Sequence, residues 1–238
     1  MLEAVLFDWG DTLMQFAYSP ELLSAGHKAG LAAIGRDGLP EVDALTEHFR
    51  ERYEPLFWVP GTIEEIEYPG LVRRLLADFG VELDDDELAR YLEAEHRAWD
   101  PARILAAHTH ALLESLRDRG LKLGLVSNAF DPGWLLHGDL AQMGIEQRLD
   151  FSVFSSEVGK RKPHPAIFER ALEALSVEPE RSLFVGDRLY EDIRGSSEIG
   201  MTTVQALWFR ADEHPDGAEP DHQAFTQLDV LNIARRLA

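Results

Sequence analysis

Asp8 closes the apolar run Leu2-Glu3-Ala4-Val5-Leu6-Phe7 and opens Asp8-Trp9-Gly10-Asp11-Thr12-Leu13, so a carboxylate leaves a buried strand at the start of a tight turn. A carboxylate presented this way suits a nucleophile that forms a covalent intermediate. Three more polar segments stand after apolar runs: Ser127-Asn128, Lys160-Arg161-Lys162-Pro163, and Gly186-Asp187 with Asp192. Asp187 and Asp192 join Asp8 as oxygen donors for a hard cation such as Mg²⁺, which takes one or two carboxylates and leaves positions for water and substrate oxygens. Ser127 offers a hydroxyl, Asn128 amide donors and Lys162 a point charge, all suited to phosphate oxygens. Each segment alone has a plainer reading as a turn, a cap or a helix N-terminal charge. Their succession at four strand ends favours the chemical one.

The elements that would position these groups alternate. An amphipathic helix is expected over Arg103–Arg119, stopped by Gly120, then a strand over Leu121–Val126 and a helix over Pro132–Met143. A short strand Phe151–Phe154, helix Pro165–Leu175, strand Ser182–Val185, helix Tyr190–Ile199 and strand Met201–Leu207 follow. Residues 211–221 read as loop and Leu228–Leu237 as a closing helix. Alternation of this kind predicts an α/β fold whose parallel sheet is covered on both faces by right-handed crossovers, with Leu2–Phe7 as a member strand. In such sheets ligands bind at the carboxyl ends of the strands, where distant segments converge.

Residues 15–100 differ in character. Helical stretches run over Pro20–Ile34, Val42–Tyr53, Leu71–Phe79 and Asp86–Trp99, with no convincing strand among them. The expected organisation is a core of residues 1–14 and 101–238 interrupted by a helical domain of residues 15–100.

Composition narrows the setting. The 238 residues are 45% hydrophobic and 28% charged, ordinary globular values, and no stretch approaches the length needed to span a bilayer. The six-residue apolar start has no basic flank and ends in Asp8, which predicts an unexported, cytoplasmic protein. Absence of cysteine excludes disulfides, thiolate nucleophiles and cysteine metal sites. A formal net charge of −20 argues against nucleic acid and anionic membrane as partners. Lysine stands only at 28, 122, 160 and 162, and two of the four fall in one candidate segment.

Phe7-Asp8-Trp9-Gly10-Asp11-Thr12-Leu13, Val126-Ser127-Asn128, Gly159-Lys160-Arg161-Lys162-Pro163 with Ile167-Phe168, and Val185-Gly186-Asp187 with Asp192 together resemble the haloacid dehalogenase-like hydrolase superfamily. The resemblance spans the whole chain, the helical insertion matching that family's α-helical cap. It implies a Rossmann-like core in which Asp8 attacks phosphorus to form an aspartyl-phosphate that water then hydrolyses. It further implies Mg²⁺ held by Asp8, the Gly10 carbonyl and Asp187, with Asp192 supporting the metal through water or by holding Lys162. Ser127, Lys162, Thr12 and the Asn128 amide would bind the phosphoryl group. The implied substrate is a small phosphorylated metabolite and the implied assembly a monomer or homodimer.

One position departs from the family pattern. Its phosphatases carry Asp two residues after the nucleophile as general acid and base, and this chain has Gly10 there. A general acid is commonly worth ~10² to 10⁴ in rate. The chain is therefore expected to be a slow phosphatase, one specialised for good leaving groups, or one with different chemistry. Asp11 is one residue out of phase for the role, since a one-residue shift turns a side chain away. The 2-haloacid dehalogenases also lack the second Asp but need no metal. Phosphonoacetaldehyde hydrolases need a cap lysine for a Schiff base, and Lys28 reads as a surface residue. A silent ligand-binding protein keeps the fold and the anion site. In the insertion, Tyr53, Phe57, Trp58 and Tyr68 read as core with substrate contact as the alternative, and Arg73-Arg74 as helix surface. His108 and His110 share no helix face and do not read as a metal pair.

Overall fold

The computed structural model describes residues 1–59, 61–209, 214 and 216–237. In chain order β1 (Ala4–Phe7) leads into β2 (Met14–Phe16), and helices α1 (Pro20–Ile34), α2 (Val42–Arg52), α3 (Tyr68–Ala77) and α4 (Asp85–Ala98) follow. Then come β3 (Arg103–Leu105), α5 (Thr109–Arg117), β4 (Lys122–Ser127), α6 (Gly133–Gln142), β5 (Phe151–Phe154), α7 (Ser155–Val158) and α8 (Pro165–Leu175). The chain finishes with β6 (Ser182–Gly186), a π-helical segment (Leu189–Arg194), α9 (Gly195–Glu198), β7 (Thr202–Ala206), β8 (His222–Ala224) and α10 (Gln227–Leu237).

Six strands form one parallel sheet in the order β5-β4-β1-β6-β7-β8. β1 lies between β4 and β6 and is buried throughout, as a short run without polar interruption requires when both faces are covered. Alternation along the strands divides the core in two. Val5, Phe7, Leu125 and Val185 pack with Leu112 and Leu116 of α5 and Val230 of α10, while Ala4, Leu6, Val126 and Phe184 pack with Ile167 and Phe168 of α8. Among the described residues no helix is long and apolar enough to cross a membrane.

The four helices between β2 and β3 pack around their own cluster, including Leu45, Leu71, Leu75 and Tyr91. Ser19 caps α1 by accepting from the Leu22 amide at 3.3 Å, and Asp84 with Glu87 forms a capping box on α4. α1 and α4 approach closely because Gly30 faces the Tyr91 ring, where a Cβ would stand 2.6 Å from Cε2. Within this packing Glu95 accepts from Tyr68 Oη at 2.6 Å. Burial pushes the Glu95 carboxyl up to about 8; the Tyr68 hydrogen bond and His96 oppose the rise and Asp131 adds to it.

That shift sets a pH dependence. The folded chain keeps a proton on Glu95 that the unfolded chain releases above an ordinary 4.5, so stability from this carboxyl is complete below 4.5 and lost as pH rises through about 8. Gln at position 95 keeps the neutral form at every pH. In thermal melts Glu95→Gln is expected to exceed the wild-type midpoint by at least ~3 °C at about pH 9 and to match it near pH 5. Equal midpoints across that range would mean that Glu95 ionises without cost in the fold.

Several expectations change. The helix expected over Arg103–Arg119 begins only at Thr109, because Arg103–Leu105 pairs antiparallel with Met14–Phe16 in a two-stranded ribbon. This ribbon stands at both ends of the helical insertion, where the sequence showed no convincing strand. The helix expected over Tyr190–Ile199 is a π-helical segment followed by the four-residue α9. Residues 214 and 216–221 lie outside regular structure as expected, and 211–213 and 215 lie outside the described residues. β8 was not foreseen and extends the sheet beside β7.

Candidate active site

β1, β4 and β6 run in parallel, so Asp8, Ser127 and Asp187 emerge at one edge of the sheet. The Asp8 amide still donates to Val185 O at 2.9 Å, which holds the carboxylate beside the end of β6. Lys162 arrives from the loop before α8 and is buried. Its Nζ lies 2.6 Å from Asp8 Oδ1 and 2.6 Å from Asp192 Oδ1, and donates to Val126 O at 2.9 Å. The ammonium thus hydrogen-bonds Asp8 and the Val126 carbonyl and is ion-paired with Asp192.

Asp8, Asp187 and Asp192 are all buried, and each offers an oxygen within 4.8 Å of the others. Burial raises the Asp8 carboxyl to about 6, against the pull of Lys162 and with the help of Asp192. For Lys162, burial disfavours the charged form, but Asp192 and Asp8 outweigh it and hold the ammonium above its ordinary range. Three carboxylates gathered with one buried ammonium leave an excess of negative charge in a dry setting, which a cation would relieve. The donors are all oxygen, which fits a hard divalent ion and not a soft one.

Local backbone explains how Asp192 reaches this place. In the π-helical segment both the Asp192 and the Ile193 amides donate to Arg188 O, at 3.0 and 3.1 Å. Asp192 Oδ2 then turns back to accept from the Arg188 amide at 2.9 Å. Gly186 has no side chain to obstruct it; a Cβ there would stand 2.5 Å from Asp192 Oδ2. Arg188, which sequence reasoning passed over, adds a cation near the site: burial opposes its charge, but Glu191, Asp187, Asp192 and Asp8 more than compensate.

Ser127 is buried at the end of β4. The Asn128 side chain is committed to the Lys162 peptide, accepting from Lys162 N at 2.8 Å and donating to Lys162 O at 3.2 Å, so only its backbone amide remains for a ligand. Thr12 is buried, its carbonyl accepts from Trp208 Nε1 at 2.9 Å, and its hydroxyl has no hydrogen-bond partner among the described residues. Gly10 forms a bridge with Met14, and a Cβ there would meet no atom within 4 Å. Asp11 adopts a φ of 55°, and its Oδ1 accepts from the Phe16 amide at 3.4 Å, on the β2 side of the turn.

The insertion supplies the remaining surroundings. Phe57 and Tyr68 pack against Phe130 with ring centroids 4.7 and 4.9 Å away, so an aromatic wall stands over the loop that follows Ser127. Tyr53 instead donates to Asp78 at 2.7 Å within the helices. The Trp58 side chain lies outside the described residues. Arg73 bonds Leu83 O and Asp85, Arg74 is exposed, and Lys28 is exposed on α1. Phe130 carried a sequence signal, as an aromatic two residues beyond Asn128.

A family model described as haloacid dehalogenase-like hydrolase matches residues 2–200. Over 242 residues the chain is 30% identical to a glyceraldehyde 3-phosphate phosphatase of Methanopyrus kandleri, covering 100% of this chain and 99% of that one. Among solved structures it resembles a HAD phosphatase from Thermococcus onnurineus at 23% identity, with 98% of both chains covered and a TM-score of 0.65. It also resembles a 2-haloacid dehalogenase from Pseudomonas syringae pv. Tomato DC3000 at 20% identity, with 100% of both chains covered and a TM-score of 0.70. At those identities the structural likeness speaks for the fold alone.

Proposed function

The chain belongs to the haloacid dehalogenase-like hydrolases, and from that premise we propose that it hydrolyses a small phosphorylated metabolite with Asp8 as the phosphoryl acceptor. The observation that carries this reading is the set of three buried carboxylates, Asp8, Asp187 and Asp192, closed around Lys162. A dehalogenase that works without metal has no use for the excess negative charge that this set creates.

In this reading residues 15–100 are the cap over a core of 1–14 and 101–238. Asp8, Asp187 and the Gly10 carbonyl would hold Mg²⁺, with Asp192 behind them fixing Lys162. When bound, Mg²⁺ supplies charge neutralisation for the phosphoryl oxygens. A carboxylate oxygen of Asp8 bonds to phosphorus as the bond from phosphorus to the leaving oxygen breaks. Lys162, the Ser127 and Thr12 hydroxyls and the Asn128 amide receive the equatorial oxygens, donors held in place before the reaction begins. Water then attacks phosphorus, releasing inorganic phosphate and restoring Asp8. No side chain at position 10 protonates the leaving oxygen, so the reaction favours leaving groups of low basicity. The relationship to a glyceraldehyde 3-phosphate phosphatase makes a three-carbon phosphate ester the first natural substrate to try.

The test is a panel of glyceraldehyde 3-phosphate, an aryl phosphate, a 2-haloacid and phosphonoacetaldehyde, each with Mg²⁺ and with chelator. Release of phosphate from the esters only with Mg²⁺ is the expected result. Metal-independent turnover of the haloacid, borohydride-sensitive turnover of the phosphonate, or phosphate binding without turnover would each replace the proposal.

A further inference from the structure

We infer that Glu65, a carboxylate of the helical insertion, is a positioning residue for the phosphate clamp, coupling the docked insertion to the Ser127-Asn128 loop and to the arm that carries Lys162. The inference rests on the phosphatase reading above. Three consecutive residues beyond Asn128 are engaged directly or through one intermediary by the insertion. The Ala129 amide donates to Ser155 Oγ at 2.8 Å, and Ser155 Oγ in turn donates to Glu65 Oε2. The Phe130 ring stands against Phe57 and Tyr68. Asp131 Oδ1 lies 3.2 Å from His96 Nδ1 on α4.

The same carboxylate meets the other arm. Glu65 N donates to Gly159 O at 3.1 Å, Arg161 N donates to Ile63 O at 2.9 Å, and Arg161 Nη1 lies 3.6 Å from Glu65 Oε1. Residue 162 follows at once, and its amide is the one that Asn128 Oδ1 accepts. Glu65 therefore stands behind both halves of the clamp.

Attachment alone does not need this residue. The backbone bonds of 63–65 with 159–161 and the exposed Glu64–Lys160 pair would hold the insertion down. Glu65 is different because its side chain is 2% exposed, and a buried carboxylate is costly unless its partners are well placed. A carboxylate only accepts, so it commits the Ser155 proton to itself and leaves the hydroxyl lone pair for the Ala129 amide. Without it the proton turns to Ala129 O, 3.2 Å away, and the loop loses the anchor nearest Asn128.

The experiment compares wild type, Glu65→Gln, Glu65→Ala, Ser155→Ala, the double variant Glu65→Ala with Ser155→Ala, and Glu64→Gln. Read out are kcat and KM for an aryl phosphate with Mg²⁺, the calorimetric Kd of inorganic phosphate with Mg²⁺, and the thermal midpoint. Glu65→Ala should raise KM and phosphate Kd together by about tenfold, Glu65→Gln by less, and Glu64→Gln not at all. The double variant should be no worse than Glu65→Ala, because the Ser155 contact is already lost in that single variant. A lowered midpoint with unchanged KM and Kd, or additive losses in the double variant, overturns the inference. Wild type that binds phosphate without turning over an ester refutes the phosphatase reading while the Kd series still judges Glu65. Wild type that does neither refutes both.

Discussion

Asp8→Asn lowers kcat on an aryl phosphate by at least ~10³-fold while the protein stays folded. Chemistry and packing both argue for this. An amide oxygen is a poor nucleophile toward phosphorus, so the covalent route closes. The substitution is nearly isosteric, and Lys162 keeps Asp192 at 2.6 Å and Val126 O at 2.9 Å, so the buried ammonium is not left alone. It also removes a carboxyl that burial already pushes up to about 6. Retained turnover in this variant would mean that water, not Asp8, attacks the substrate.

Gly10→Asp is expected to raise kcat on an alkyl phosphate by about 10²-fold, the lower end of what a general acid contributes. Steric conditions are favourable, since a Cβ at Gly10 meets no atom within 4 Å. The gain should depend on the leaving group. An alkoxide needs a proton as it departs, whereas a nitrophenolate does not, so the aryl ester should gain much less. Rate measurements on both esters separate the cases: equal gains would indicate a general rearrangement of the turn, and no gain on the alkyl ester would show that another group already protonates it. Asp11 is poorly placed to be that group, because its carboxylate accepts from the Phe16 amide.

How much of this was legible beforehand follows from the physics of each element. Strands β1, β4 and β6 are short apolar runs buried on both faces, and such runs stand out from the polar turns that bound them. The four chemical segments were legible for the same reason, as polar residues at the ends of those runs. The ribbon of Met14–Phe16 with Arg103–Leu105 was not, because three residues carry no periodicity and the pairing joins distant segments. Ile104 and Leu105 also continue the apolar spacing of α5 backwards, which drew the expected helix too far. The π-helical turn that aims Asp192 leaves no mark in hydrophobic spacing. The capture of the Asn128 side chain by the Lys162 peptide, and the Glu65 to Ser155 contact, are long-range hydrogen bonds between residues that individually look like ordinary loop chemistry.

The central claim is that Asp8 carries the phosphoryl group. Rapid acid quenching of wild type turning over a radiolabelled phosphate ester with Mg²⁺, followed by peptide mapping, measures this most directly. The account predicts label on the peptide containing Asp8, removed by hydroxylamine and missing in Asp8→Asn. Steady release of phosphate with Asp8 unlabelled at every quench time, and undiminished in Asp8→Asn, would contradict it.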